Sequence, residues 1–304
     1  MIKLNDYIKN SNIFSKKYIV LDIETSGVSR IHSKVLVAGI LFSDGKFIQY
    51  AITDENEEKE LLEEISQILN DQYIITFNGD IFDIPFIKSR MEFHGLDPFI
   101  EQSSFDIRKY LIKNKYITDI NSFSLKEVEN YHEIKRFEDF ELDSDIDFYT
   151  FEEFKNDKFE KILLHNKYDV INTNALLDLV NKIEESKNIY LNERTIKIDS
   201  IFHEKNILEI KGNIIPEIMD YFIEGHNYSL YINNSSFKLR LHIIEGFLAD
   251  NIMGFVHIIN YESNFVDTSP YNLRKDLIPI FDNRYYLENI KNLVLNIFKN
   301  IINN

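Results

Sequence analysis

Two acidic residues, Asp22 and Glu24, stand where an apolar run would otherwise continue. The segment is Lys17–Thr25, KYIVLDIET. On a strand, residues two apart send their side chains to one face. The residues before them, Tyr18–Leu21, read as a buried strand. Burying an unpaired charge costs several kcal/mol. A bound cation would offset that cost, whereas a strand that stops at Leu21 and leaves both acids in water needs none. The D-x-E spacing alone does not separate the two.

A second acid of this kind lies in Thr76–Ile87, TFNGDIFDIPFI. Asp83 follows a strand and an Asn78-Gly79 turn, and Phe82, Pro85 and Phe86 around it are apolar, so it projects from a packed wall near a helix start. Helix N-termini favour acids through capping and the macrodipole, which accounts for Asp80 better than for Asp83. The third segment is Leu163–Thr173, LLHNKYDVINT. His165 and Asp169 are four apart on a helix and share a face. Asp169 interrupts an apolar stripe that continues through Val170 and Leu176. In isolation such a pair is most simply a surface hydrogen bond. Together, four carboxylates from three separated segments are able to converge at one sheet edge. Two divalent cations about 3.5–4 Å apart need such a carboxylate-rich cage. Oxygen ligands favour Mg²⁺ or Mn²⁺ over zinc.

In this order, D-I-E-T, F-N-G-D-x-F-D-x-P-F and H-N-x-x-D-V resemble the three exonuclease motifs of the DEDD superfamily of 3′–5′ exonucleases. More narrowly, the chain is similar to the bacterial YprB-like, predicted exonuclease branch of the ribonuclease H-like fold. Ser124–Arg136 (SLKEVENYHEIKR) resembles a segment that this branch tends to carry between the second and third motifs. The resemblance spans about Tyr18–Asn181 and leaves 190–304 uncovered. It implies hydrolysis of phosphodiester bonds at single-stranded ends of DNA or RNA by two-metal catalysis. Asp22, Glu24, Asp83 and Asp169 would position two Mg or Mn ions, one lowering the pKa of a bound water and the other stabilising the leaving 3′ oxygen. His165 joins these four as a catalytic residue, and Thr25, Asn78 and Phe82 are the implied substrate contacts. Asn78 would hold the terminal nucleotide or brace Asp83, or serve only as the turn residue before Gly79. One departure stands out. The superfamily places a Tyr four residues before the last Asp or a His five before it; here Leu164 is five before Asp169 and His165 takes the Tyr-type spacing. Tyr168, adjacent to Asp169, faces about 100° away on a helix. An imidazole with a reference pKa near 6.5 suits orienting or deprotonating water; the other reading has His165 bonded to a phosphate or to Asp169.

Several elements must position these groups. Val35–Ser43 and Lys46–Thr53 read as a hairpin around Asp44-Gly45. Glu55–Leu69 is an amphipathic helix, Tyr73–Phe77 a short buried strand and Ile81–Phe93 a helix. Phe105–Asn130 holds two short helices with a loop at Ile117–Ser122, Arg136–Asp147 reads as a solvated acidic loop, and Phe151–Glu184 is helical. The expected architecture is α/β, a ribonuclease H-like mixed sheet flanked by helices, although periodicity alone would allow several α/β folds. The texture changes at Lys182–Asn192. This places a ribonuclease H-like exonuclease domain at 1–189 and a smaller α+β accessory domain at 190–304. The latter carries a hairpin over Thr195–Ile210, several strands over Tyr228–Ile259 and a final helix, Tyr285–Ile302.

A length of 304 residues suits two domains, and 44% hydrophobic content suffices for real cores. The chain has no cysteine, which excludes disulfides, thiolate zinc, iron–sulfur clusters and cysteine nucleophiles. Neither a phosphate-cradling G-x-x-x-x-G-K-[ST] nor a G-x-S-x-G elbow occurs. With no Trp for sugar stacking, glycoside hydrolysis by a carboxylate pair is disfavoured. The polar start and the lack of a long apolar run give the expectation of a soluble cytoplasmic protein with no membrane partner. The net charge is −16, but residues 186–304 hold 12 basic and 14 acidic residues, which leaves 22 and 36 in 1–185. Such an excess repels nucleic acid unless cations or a local basic strip offset it. Candidates for the strip are Lys88, Arg90, Arg108, Lys109, Lys113 and Lys115 with Tyr110 and Tyr116, and Lys238 and Arg240 on one strand face further on. His94 reads as a helix C-cap and the remaining histidines as structural or surface residues. The alternative function is a catalytically degenerate nucleic-acid or protein binding module. Retention of all four carboxylates argues against it.

Overall fold

The computed structural model describes residues 1–9, 16–136, 151–259 and 265–302. These fall into two compact units, one of Met1–Lys113 with Ile120–Asn181, the other of Asn114–Asp119 with Lys182–Asn304. Among the described residues no helix is long and apolar enough to cross a membrane.

The first unit is built on a mixed sheet. Its strands are β1 (Ile2–Tyr7), β2 (Ile19–Thr25), β3 (Val35–Phe42), β4 (Lys46–Ala51), β5 (Tyr73–Thr76) and β6 (Ser103–Asp106), in the order β1-β4-β3-β2-β5-β6. The strands from β1 to β2 pair antiparallel, and β2-β5-β6 pair parallel. Residues Val35–Leu41 of β3 are buried one after another, as expected of a strand covered on both faces. The covering elements are α1 (Glu58–Leu69), α2 (Asp83–Phe93) and α6 (Phe159–Ser186). Leu61, Leu62 and Ile65 of α1, Phe86 and Ile87 of α2, and Ile162 and Leu163 of α6 close one core with Ile19, Leu21 and Ile23. This is the α/β arrangement, a mixed sheet flanked by helices, that the motifs imply.

Details differ from the sequence expectation. The first strand, IKLNDY, is exposed at every residue, so it carries no apolar alternation; its order comes from pairing with β4, Ile2 opposite Ala51. The short β6, SSFD, shows no apolar alternation either; its one buried residue is the polar Asp106. Two short helices follow it, α3 (Ile107–Lys113) and α4 (Leu125–Tyr131), the latter capped by the Ser124 hydroxyl. The expected long helix from Phe151 opens instead with α5 (Phe151–Glu153) and a π-helical turn, Phe154–Lys158, before α6. Of the acidic Arg136–Asp147 stretch, all but Arg136 lies outside the described residues.

The second unit contains β7 (Asn188–Leu191), β8 (Arg194–Glu204), β9 (Ile207–Ile215), β10 (Tyr221–Glu224), β11 (Tyr228–Asn233), β12 (Ser236–Ala249), β13 (Ile252–Ile258), β14 (Leu277–Phe281) and α7 (Leu287–Ile302). The sheet order is β10-β11-β12-β9-β8-β7, with β13 joining β12 to β14. Ile290, Leu293, Val294, Ile297 and Phe298 of α7 pack on one face of it. The expected junction, Lys182–Asn192, is regular structure: helix to Ser186, then β7 from Asn188.

Candidate active site

Asp22 and Glu24 leave β2 on the same side, and the residue opposite Asp22 on β3 is Gly39. A Cβ at position 39 would lie 2.4 Å from Asn166 Oδ1 and 2.9 Å from Val170 Cγ2. The missing side chain therefore lets α6 close onto the strands. Asn166, fully buried, donates from Nδ2 to Asp22 Oδ2 at 2.8 Å and to the Asp22 carbonyl at 3.0 Å. Its Oδ1 accepts from Gln49 Nε2 at 2.7 Å, and Gln49 also donates to the Leu163 carbonyl at 2.9 Å. A chain of buried amides thus fixes the Asp22 carboxylate from behind. Such networks hold a side chain firmly when every member is satisfied.

Asp83 is the first residue of α2, and its Oδ1 accepts from the Ile23 amide at 3.0 Å. Burial pushes its carboxyl up to about 7, against the bonds from the Ile23 amide and its own, with repulsion from Asp106 and Asp169 adding to the rise. The Asp22 carboxyl is also held well above the usual range, first by burial and then by repulsion from Asp169, Asp83 and Glu24; the Asn166 bond opposes this. The four acids therefore share one electrostatic neighbourhood.

His165 and Asp169 meet on α6, Nε2 to Oδ2 at 3.5 Å. One ligand atom each from Glu24, His165 and Asp169 lie within 4.8 Å of one another. The imidazole thus stands among the prospective ligand atoms as well as beside them. Arg136 completes this side. Its Nη2 donates to Asp169 Oδ1 at 2.7 Å, and its Nη1 lies 3.5 Å from His165 Nδ1. The guanidinium is anchored on Glu129 of α4, Nε to Oε2 at 2.5 Å and Nη2 to Oε1 at 2.9 Å. Glu129 is buried and accepts a further bond from Asn172 of α6 at 3.0 Å. Bidentate pairing of this kind sets orientation as well as charge.

The turn before α2 is held by Asp106, which the sequence reading passed over. Its Oδ1 accepts from the amides of Asn78 (3.0 Å) and Lys109 (3.1 Å), and its Oδ2 from that of Asp80 (3.3 Å). Asn78 has a left-handed backbone, φ 71°, and its Oδ1 accepts from Arg108 at 3.2 Å. Of the expected substrate contacts, Thr25 is buried with its hydroxyl donating to the Gly27 carbonyl at 2.9 Å. Phe82 is half-buried against the core, its ring 5.4 Å from that of Phe86.

The expected basic strip is largely engaged elsewhere. Arg90 is buried, with Nε and Nη2 on Glu58 at 2.9 and 2.7 Å, and is a core ion pair. His94, at the C-cap of α2, adds Nε2 to the same carboxylate at 2.8 Å. Lys88 pairs with Glu101 at 2.6 Å and Lys109 with Asp80 at 3.0 Å. Asn166, Gln49, Gly39, Glu129 and Arg136 are site residues that the sequence reading missed. For Arg136 a signal existed: it ends the Ser124–Arg136 segment singled out by resemblance.

Residues 19–181, just over half of the chain, match the family model RNase_H_2 of the RNase_H superfamily. Over 86 residues, 27% of this chain, the sequence is 35% identical to the catalytic subunit of DNA polymerase epsilon from Kluyveromyces lactis; that match takes in 4% of the polymerase chain, so this protein spans a small part of the relative's length. Among solved structures, the family B DNA polymerase of the archaeon Pyrobaculum calidifontis aligns with a TM-score of 0.44 and 16% identity, over 54% of this chain and 24% of that one. Escherichia coli exonuclease I in complex with a dT13 oligonucleotide aligns with a TM-score of 0.40 and 13% identity, over 56% and 42%.

Proposed function

We propose that this chain, which belongs to the RNase_H superfamily, is a metal-dependent 3′–5′ exonuclease that hydrolyses phosphodiester bonds at single-stranded ends of nucleic acid. The observation that carries the reading is Asp22. It is fixed by a dedicated buried amide chain while burial and three neighbouring carboxylates oppose its ionisation. A group built only for stability would not be arranged so. The donor set fits hard divalent cations: Glu24, Asp169 and His165 offer ligand atoms within 4.8 Å of one another, and Asp22 and Asp83 add carboxylates in the same electrostatic field. Bound Mg²⁺ or Mn²⁺ would supply a water of lowered pKa and neutralise charge at the phosphate. The chain's own residues do the rest. Asn166 and Gln49 hold Asp22, and the Ile23 amide orients Asp83. His165 takes up the proton of the attacking water or orients that water. Arg136 keeps a positive charge beside Asp169, which lessens the repulsion a phosphodiester meets in a chain of net charge −16.

Membership of the YprB-like branch is supported by Ser124–Arg136, whose Glu129 and Arg136 brace the site. The catalytic role stays with the first unit, and residues 190–304 tune substrate access. The deciding experiment incubates purified full-length protein with 5′- and 3′-labelled DNA and RNA oligomers, in Mn²⁺ or in EDTA. Stepwise shortening from the 3′ end in Mn²⁺ only is expected. Binding without cleavage in any divalent cation would favour the degenerate binding module.

A further inference from the structure

The second unit's sheet has one face packed on α7, with Phe237 against Phe298 at 5.2 Å between ring centroids. On its other face several large side chains are exposed among the described residues. Because strand register places paired residues on the same side, that face can be read row by row. One row crosses five strands as Phe222, Tyr231, Lys238, Lys211 and Ser200. The next reads Glu224, Ser229, Arg240, Glu209 and Phe202. Phe222 is 65% exposed, Tyr231 49% and Phe202 60%. Large aromatics at these exposures contribute little to the unit's own core. Between them lie Lys211, Lys238 and Arg240, with Glu224 at the end of the second row; Glu209 bonds Lys211 at 2.7 Å and Arg240 at 2.9 Å, and those bonds hold its carboxyl below the usual range. A groove whose lining includes Phe202, Arg240 and His242 together with Glu204, Lys205 and Glu209 continues along the same face.

We propose that this face is a binding platform for single-stranded nucleic acid, bases stacking on Tyr231, Phe222 and Phe202 and phosphates pairing with Lys211, Lys238 and Arg240. Tyr231 and Phe222 sit on neighbouring strands, whose spacing is about 4.8 Å. Exposed aromatics flanked by cations are how proteins hold single strands without reading sequence. Charge singles out the occupant. In a chain of net charge −16, this is an outward row whose centre is basic, and it lies in the half that is close to neutral. The proposal rests on the reading that the chain handles nucleic acid, but not on cleavage.

The test is fluorescence anisotropy of labelled dT15 with the full-length protein in EDTA, where hydrolysis is suppressed. Tyr231→Ala and Phe222→Ala should each weaken binding about tenfold. Lys211→Glu with Lys238→Glu should weaken it further and reduce the slope of log affinity against log salt by about 0.7 per lost phosphate contact. All four side chains point outward, so circular dichroism should report the same fold, and Lys211→Gln with Lys238→Gln, which removes the charges without adding acids beside Glu209, should weaken binding in the same direction. The proposal is overturned if the combined variant binds dT15 as tightly as wild type. It is equally overturned if wild type binds neither dT15 nor rU15 in EDTA. Variants that alter self-association but not oligonucleotide affinity would assign the face to a second copy of the chain, which also overturns it. None of these outcomes touches the exonuclease reading, whose own failure would appear as unimpaired cleavage by Asp22→Asn.

Discussion

Two buried carboxylates in the first unit, Glu58 and Asp22, have neighbours of opposite kinds and behave in opposite ways. Around Glu58, Arg90 donates twice, His94 once and the Val35 amide once. Burial acts to raise the Glu58 carboxyl, yet these bonds hold it below the usual carboxylate range. Around Asp22, burial has the same sign but the neighbours are Asp169, Asp83 and Glu24, so the carboxyl rises. A buried acid surrounded by donors and cations is a finished structural element. One surrounded by other acids is held in place by the fold at a cost, which a bound cation removes. Arg136 marks the border between the two regimes, since it pairs with buried Glu129 as Arg90 does with Glu58 but extends its Nη2 to Asp169.

The largest effect that tests this contrast is on cleavage. Asp22→Asn or Asp169→Asn should bring Mn²⁺-dependent cleavage below detection with circular dichroism unchanged, and the metal-free protein should melt no lower than wild type, because a repelled charge is gone. Near wild-type activity in either variant would break the assignment. His165→Ala should lower the rate by about 10²–10⁴ and remove an acidic limb from the pH–rate profile. Should activity stay within a few fold at neutral pH, His165 has no proton-transfer role, and His165→Tyr, which restores the Tyr-type spacing, should then keep or raise the rate.

In the finished cluster the sign reverses. Arg90→Ala strands Glu58 in the core and should destabilise the fold by about 3–5 kcal/mol in urea melts. A second change, Glu58→Leu, should recover much of that loss; if it recovers nothing, the ion pair is not what the variant removed.

The smallest effect is on pH dependence. Asp83 is raised to about 7 in the folded chain, so the folded state holds more protons there than the unfolded state, whose carboxyl has a pKa of about 3.9. Stability of the metal-free protein should therefore fall as pH rises from about 4 through about 7, by at most about 1.4 kcal/mol per unit for one carboxyl. Asp83→Asn should flatten that slope. The melting shift produced by Mg²⁺ should grow over the same range, as the ligands lose their protons. Glu58, lowered, contributes stability of the opposite dependence, present above its unfolded pKa of about 4.3 and lost only as pH falls through its folded value. A Mg²⁺ shift that shrinks with rising pH would contradict the picture of the Asp22 cluster.

The legible parts of the molecule are those encoded over short spans. Tyr18–Leu21 turning into Asp22 and Glu24, the Asp44-Gly45 hairpin, the apolar spacing of Glu55–Leu69 and the break that Asp169 makes in its stripe each show within a dozen residues. Their order along the chain carried the family resemblance. Short strands without an apolar alternation were not legible: IKLNDY and SSFD show none, and it is pairing with β4 and β5 that makes strands of them. Arg90 misled for a related reason, since its basic character says nothing of the Glu58 that buries it 32 residues away.

Sequence by itself determined the residue types of the site, because each acid stands against a local apolar pattern that would otherwise exclude it. Tertiary structure decided what fixes those acids. Asn166 reaches Asp22 across 144 residues, Gln49 reaches Asn166 across 117, and Arg136 reaches Asp169 across 33. Amides are at home on any surface, so nothing in the composition around Asn166 or Gln49 announces that they are buried. The closing of α6 over Gly39 takes the amides out of water, and the anchoring of half-buried Arg136 on Glu129 aims its guanidinium at Asp169, which gives each hydrogen bond its consequence.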